Sequence, residues 1–281
     1  MKNLFPSLQT SGQKWMLRMS FILSLSLFTA SSFANPKITI QPAELQRVAE
    51  QIYKNETGGK IENLAVWNSG ENFPSLGIGH FIWYKANEPA HFEETFPSLV
   101  VFLAQNQQTL PKILQQHRTA PWQSQAEFNA AKSRGELNEL IQFLGNTKDL
   151  QALFIYQRLQ GALQKMKAVS EYPDFIEMKF YEVAGSQNGL YALIDYVNFK
   201  GEGINPSERY HHQGWGLMQV LENMDLTFAG NTKAEIDAAT LASFRQSAEK
   251  VLTDRVNNAG PEKGESRWLP GWKNRIQTYR P

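Results

Sequence analysis

Between Gln41 and Glu56 the apolar positions Leu45, Val48, Ala49 and Ile52 recur at i, i+3, i+4 and i+7, which places them on one face of an α-helix. Pro42 suits the first turn of that helix, where a missing N–H costs nothing, and Gly58-Gly59 ends it. The pattern then changes. Ile61 to Trp67 reads as extended, Asn68-Ser69-Gly70-Glu71-Asn72 is a run of turn formers, and Leu76 to Tyr84 reads as extended again with glycines at 77 and 79. Together these predict a small hairpin or three-stranded sheet, with Phe73 to His80 as its second strand. After Pro89 the helical period returns, predicting segments near 97–107, 124–134, 136–144, 147–167, 174–185, 189–199, 214–223, 233–257 and 270–279. Leu190, Leu193, Ile194 and Val197 form one core stripe, and Leu241, Phe244, Ala248, Val251 and Leu252 form another. The expected class is α+β and predominantly helical: a small β-hairpin lobe near the start, a larger helical lobe, and a cleft between them where a polymer can lie.

Residues 19–30 are an apolar run preceded by Lys14 and Arg18 and followed by Ser32-Phe33-Ala34, the layout of a signal peptide over residues 1–34. Cleavage after Ala34 leaves residues 35–281 as a single domain, and the serines in the run argue against a stable membrane span after cleavage. Removing that segment changes the charge picture. The full chain has 28 basic and 27 acidic residues, but Lys2, Lys14 and Arg18 fall within the signal, leaving 25 basic against 27 acidic. A chain so near neutrality has no strong electrostatic reason to hold nucleic acid. The absence of cysteine excludes a disulfide scaffold and a cysteine zinc site, and His211-His212 lacks the companion spacing of a metalloprotease. No metal and no cofactor is assigned.

Glu56 is the first candidate for chemistry. The partial negative charge of a helix C-terminus disfavours an ionised carboxylate there, and cover from Trp67 and Ile78 would act in the same direction. An acid kept protonated in this way can donate a proton near neutral pH. The plainer reading is a surface glutamate beside a Gly-Gly stop. Gly77 and Gly79 stand where a strand interior wants side chains, a pattern expected where another backbone or a ligand comes close. Ser75 would present its hydroxyl beside that opening. Glu71, in the preceding turn, offers a second carboxylate across the cleft, or else is a solvated turn residue. One protonated and one ionised carboxylate flanking a groove is what glycoside hydrolysis requires. Trp67, Trp83 and Trp215 are candidates to stack on sugar rings, with core packing as the alternative, whereas Trp268 and Trp272 read as core anchors. His80, at the strand end, is a candidate to line the substrate or a buried hydrogen-bonding residue.

Glu56-x-Gly58 followed by Ser75-Leu-Gly-Ile-Gly-His80 resembles the phage-type lysozymes, whose catalytic helix glutamate precedes a hairpin ending in Thr-Ile-Gly-Ile-Gly-His. Ala192-Leu-Ile-Asp-Tyr-Val-Asn-Phe-Lys-Gly-Glu202 resembles that family's Ala-Leu-Ile-Asn-Met-Val-Phe-Gln-Met-Gly-Glu helix. Arg267-Trp268 and Arg275-Ile276 resemble its closing Arg-Trp and Arg-Val-Ile segments. The three blocks span roughly 42–84, 189–224 and 245–279, and residues at about 90–188 are expected to be a helical insertion. The resemblance implies a lysozyme-like fold and a glycoside hydrolase, specifically an exported muramidase that cleaves β-1,4 bonds of bacterial peptidoglycan in the periplasm or outside the cell. It makes Glu56 the general acid and Ser75 the counterpart of the threonine that positions water. The family's catalytic aspartate falls at Ser69 here, so Glu71, or else Asn68, must supply the second role. Chitin and chitosan are related candidate substrates. Gly203 to Gln219 also resembles the lytic transglycosylase signature, in which Glu202 would be the sole acid; otherwise Glu202 lines the cleft. The remaining alternative is a non-catalytic periplasmic glycan-binding protein that keeps the scaffold.

Overall fold

Pro42 opens the first helix, α1 (Pro42–Thr57), and Gly58 closes it with a left-handed φ of 64° and an N–H bonded to the Lys54 carbonyl. A Cβ resists that conformation, so the helix stops where the sequence says it should. The computed structural model describes residues 39–89, 92–226 and 230–281. The signal peptide expected over 1–34 lies outside the described residues. Val48, Ala49 and Ile52 form the buried face of α1, as their spacing predicts.

A 3-10 turn at Ile61–Leu64 leads into β1 (Ala65–Val66), followed by β2 (Ser75–Leu76) and β3 (Phe81–Ile82). The three strands pair antiparallel in the order β1-β2-β3, with Ala65 opposite Leu76 and Ser75 opposite Ile82. The second strand is much shorter than the stretch 73–80 that the sequence suggested. Gly77 to His80 is instead the turn between β2 and β3. Gly77 and His80 both have positive φ, at 75° and 45°, and the backbone here bonds away from the sheet. The Gly77 N–H donates to the Leu64 carbonyl at 2.7 Å, and the Ile78 N–H donates to Gln151 Oε1 at 2.8 Å. A Cβ at Gly77 would collide with Gln151, and one at Gly79 would stand 2.6 Å from Phe81 and 2.8 Å from Asn198 Oδ1. The close approach marked by these glycines is therefore made by the protein's own side chains.

The helical part comprises α2 (Phe96–Gln105), α3 (Lys112–Gln116), α4 (Gln125–Ser133), α5 (Asn138–Asn146), α6 (Lys148–Val169), α7 (Pro173–Gly185), α8 (Gly189–Lys200), α9 (Leu217–Asn223), α10 (Lys233–Ala259) and α11 (Leu269–Ile276). The chain is thus predominantly helical with a small three-stranded antiparallel sheet. Among the α-helices of the described residues only α3 escaped the sequence pattern, because a five-residue helix with one buried side chain, Leu114, shows no period. A capping box starts α10: Thr232 Oγ1 accepts from the Glu235 N–H, and Glu235 Oε2 accepts from the Thr232 N–H.

The described residues from 92 to 188 hold α2 to α7. Their long helix α6 lies against α1, α7 and α8, while α10 packs on α7, α9 and α11. Every residue of α8 from Gly189 to Val197 is buried, so its stripe is embedded on all sides. Trp268, expected as a core anchor, is 54% exposed and lies beside the Arg267 guanidinium. No helix among the described residues is long and apolar enough to cross a membrane.

Candidate functional site

Glu56 stands one residue before the end of α1, with its side chain only 11% exposed. Oε1 accepts from Arg275 Nη2 at 2.6 Å and from Asn198 Nδ2 at 3.2 Å, and Oε2 lies 3.3 Å from His80 Nδ1. Where the sequence suggested apolar cover, both carboxylate oxygens have polar partners. Those partners come from α11, from α8 and from the β2–β3 turn.

Arg275 also grips Asp195, with Nε 2.8 Å from Oδ2 and Nη2 2.9 Å from Oδ1. Asp195 is fully buried and accepts further bonds from the Tyr279 hydroxyl at 2.6 Å and from Asn55 Nδ2 at 3.2 Å. Burial opposes the charge on Arg275, but Asp195 and Glu56 outweigh it and hold the guanidinium well above its usual value, so it stays charged. Tyr191, bonded to Asn55 and Thr278, is pushed up to about 12 by burial and then by Asp195. The network locks the C-terminal end of α1 to α8 and α11.

Glu71 occupies the turn after β1. Its Oε2 accepts from Asn68 Nδ2 at 3.0 Å, and its backbone carbonyl accepts from Trp67 Nε1 at 2.8 Å. Burial raises its carboxyl above the ordinary value, opposed by the Asn68 bond and the charge of His80. The His80 imidazole lies 3.3 Å from Glu56 and within electrostatic reach of Glu71. Ser69, which stands at the expected aspartate position, is exposed. Ser75 is 4% exposed in the middle strand, so it sits beneath the surface of the lobe and not at an opening. His80 belongs to the turn, not to a strand end, and its Nε2 is buried without a hydrogen-bond partner among the described residues.

A cleft of about 470 Å³ runs from His80 and Asn198 past Lys200 to Glu202, Glu208 and Trp215. Glu202 lines it with its carboxylate 2.9 Å from Lys165 Nζ. Trp215 contributes to the wall but is largely buried, its ring against Tyr210 and the Arg255 guanidinium. Trp67 and Trp83 do not line the cleft. Trp83 is 1% exposed between Phe96 and Trp122, with its N–H bonded to the Arg118 carbonyl, and Trp67 packs on Phe128. Both are core residues, the alternative that the sequence left open. A larger cavity of about 680 Å³, walled by Tyr172 and Phe175, holds His211, His212 and part of the segment from Gly203 to Gln219, but none of the carboxylates or indoles proposed for the site.

Two cleft residues went unnoticed in the sequence. Glu208 is a half-buried carboxyl raised by burial, and its Oε1 accepts from Asn205 Nδ2 at 3.3 Å. Lys200 is in the last turn of α8, where a cation is the ordinary partner of the helix dipole and so gives no signal of its own. Among the described residues no cluster of three His, Asp or Glu side chains is placed to hold a metal ion. Compared with models of protein families, with curated proteins and with solved structures, the chain matches none.

Proposed function

We propose that the protein is an exported bacterial peptidoglycan glycosidase, a muramidase of lysozyme-like fold acting on β-1,4 bonds in the cleft beside Glu56. One observation carries this reading. The three sequence blocks that resemble phage-type lysozymes converge on a single carboxylate: Glu56 and His80 from the first, Asn198 from the second and Arg275 from the third. Residues 219 positions apart meet there at 2.6 Å. In this reading Glu56 gives its proton to the leaving oxygen, and Glu71 takes a proton from the attacking water. The raised carboxyl of Glu71 makes it a stronger base, once ionised, than an ordinary glutamate. Arg275 divides its charge between Asp195 and Glu56 and fixes the direction in which the Glu56 carboxyl faces. No cofactor enters the reaction, and the substrate is peptidoglycan or a related aminosugar polymer.

The test is mass spectrometry of purified peptidoglycan after incubation with the wild-type protein, Glu56→Gln and Glu202→Gln. Reducing-end muropeptides from the wild type and Glu202→Gln, but not from Glu56→Gln, are expected. Anhydro-sugar products lost only in Glu202→Gln would replace this reading with a lytic transglycosylase. Glycan binding without cleavage by any form would make the protein a binder.

A further inference from the structure

Four Lys and Arg side chains line the cleft, and three of them have a carboxylate: Arg158 pairs with Glu93 at 2.7 Å, Lys165 with Glu202 at 2.9 Å and Arg255 with Glu265 at 2.7 Å. Lys200 has none within 4.0 Å, and no hydrogen-bond acceptor, among the described residues. Its Nζ lies instead over two aromatic rings, 3.6 Å from the centroid of Trp272 and 4.0 Å from that of Phe199. Ring faces compensate a cation only modestly, and a poorly hydrated ammonium without an anion is costly.

We propose that Lys200 is a specificity-determining residue that binds a carboxylate carried by the polymer in the cleft, so that the site takes an anionic aminosugar polymer in preference to a neutral or cationic one. This rests on the glycosidase reading above and adds the charge of the substrate to it. The groups facing Lys200 agree with it. Burial, then Arg255 from α10 and Arg275 from α11, hold its amine well below the usual lysine value, while Glu265 and Glu56 act the other way. Glu208, which also lines the cleft, has its carboxyl raised by burial and does not pair with Lys200 among the described residues. A ligand carboxylate would favour the ammonium, so its binding should take up a proton.

The probe is the disaccharide N-acetylglucosaminyl-N-acetylmuramic acid, whose one β-1,4 bond belongs to N-acetylglucosamine and not to N-acetylmuramic acid, so a muramidase leaves it intact. It is compared by calorimetric titration at pH 7 with its lactyl carboxamide and with di-N-acetylchitobiose. A charge-assisted bond in a partly desolvated wall should make the free acid bind about tenfold tighter than the carboxamide. Lys200→Met should bring the two within about twofold, Lys200→Arg should restore the preference, and binding of the acid should take up protons in buffers of different ionisation enthalpy. Equal binding of acid and carboxamide by the wild type would overturn the proposal and leave the glycosidase reading standing. Failure of all three sugars to bind would overturn both. The wild-type comparison needs no variant to fold.

Discussion

Arg275→Met tests the central network directly. The thioether replaces the arginine stem in volume but deletes three charge-assisted bonds, two to Asp195 at 2.8 and 2.9 Å and one to Glu56 at 2.6 Å. Asp195 is then a fully buried carboxylate left with only the Tyr279 hydroxyl and the Asn55 amide. Breaking a buried pair by removing one partner costs about 3–5 kcal/mol, most of it the stranded charge and not the lost attraction. For a domain of this size that is a fall in Tm of roughly 10 °C. Urea unfolding at pH 7 measures it, and the same substitution in an Asp195→Asn background isolates the cause. There no buried charge is stranded, and Arg275→Met should cost no more than about 1.5 kcal/mol. A cost below about 1 kcal/mol in the wild-type background, or one unchanged by Asp195→Asn, refutes the claim that a buried ion network fixes the end of α1.

Tyr191 ionises with an unfolded value near 10 and a folded value pushed up to about 12, so its contribution is complete below pH 10 and lost as pH rises through 12. That shift is worth about 2–3 kcal/mol, and urea melts of wild type and Tyr191→Phe across pH 9–12 should show a shallower alkaline loss in the variant. Burial raises the Glu71 carboxyl, which stabilises the fold below its unfolded value of 4.5 and is lost as pH rises through the folded value. Glu71→Gln should therefore gain on the wild type in stability from pH 4 to pH 7, while abolishing muropeptide release; a constant difference across that range would contradict the burial argument. A methyl at Gly79 would press on Phe81 and on Asn198 Oδ1, so Gly79→Ala should cost about 1–3 kcal/mol and lower turnover by moving Asn198 off Glu56. Stability or turnover equal to wild type would mean that the turn relaxes freely.

Much of the backbone was legible in the sequence, because helix periodicity is a property of near neighbours. The stripe Leu45, Val48, Ala49, Ile52, the stop at Gly58 and the limits of α6, α8 and α10 can each be read within a window of a few turns. Glu56, Glu71 and His80 also stood out, since glycines and turn formers mark that short stretch. Where sequence reading failed, the deciding partner was distant. Gln151 accepts the Ile78 N–H and makes Gly77 to His80 a turn instead of a strand. Trp83 is drawn into a cluster with Phe96 and Trp122, while Trp268 is left outside, although nothing local distinguishes the two indoles. Lys200 looks like any helix-end lysine until α10 and α11 bring Arg255 and Arg275 beside it and Trp272 beneath it. Local pattern thus determined which residues are helical and where the chain turns. Tertiary packing decided which charges face each other, because the cost of burying a charge depends on partners that only the folded chain brings within a few ångströms.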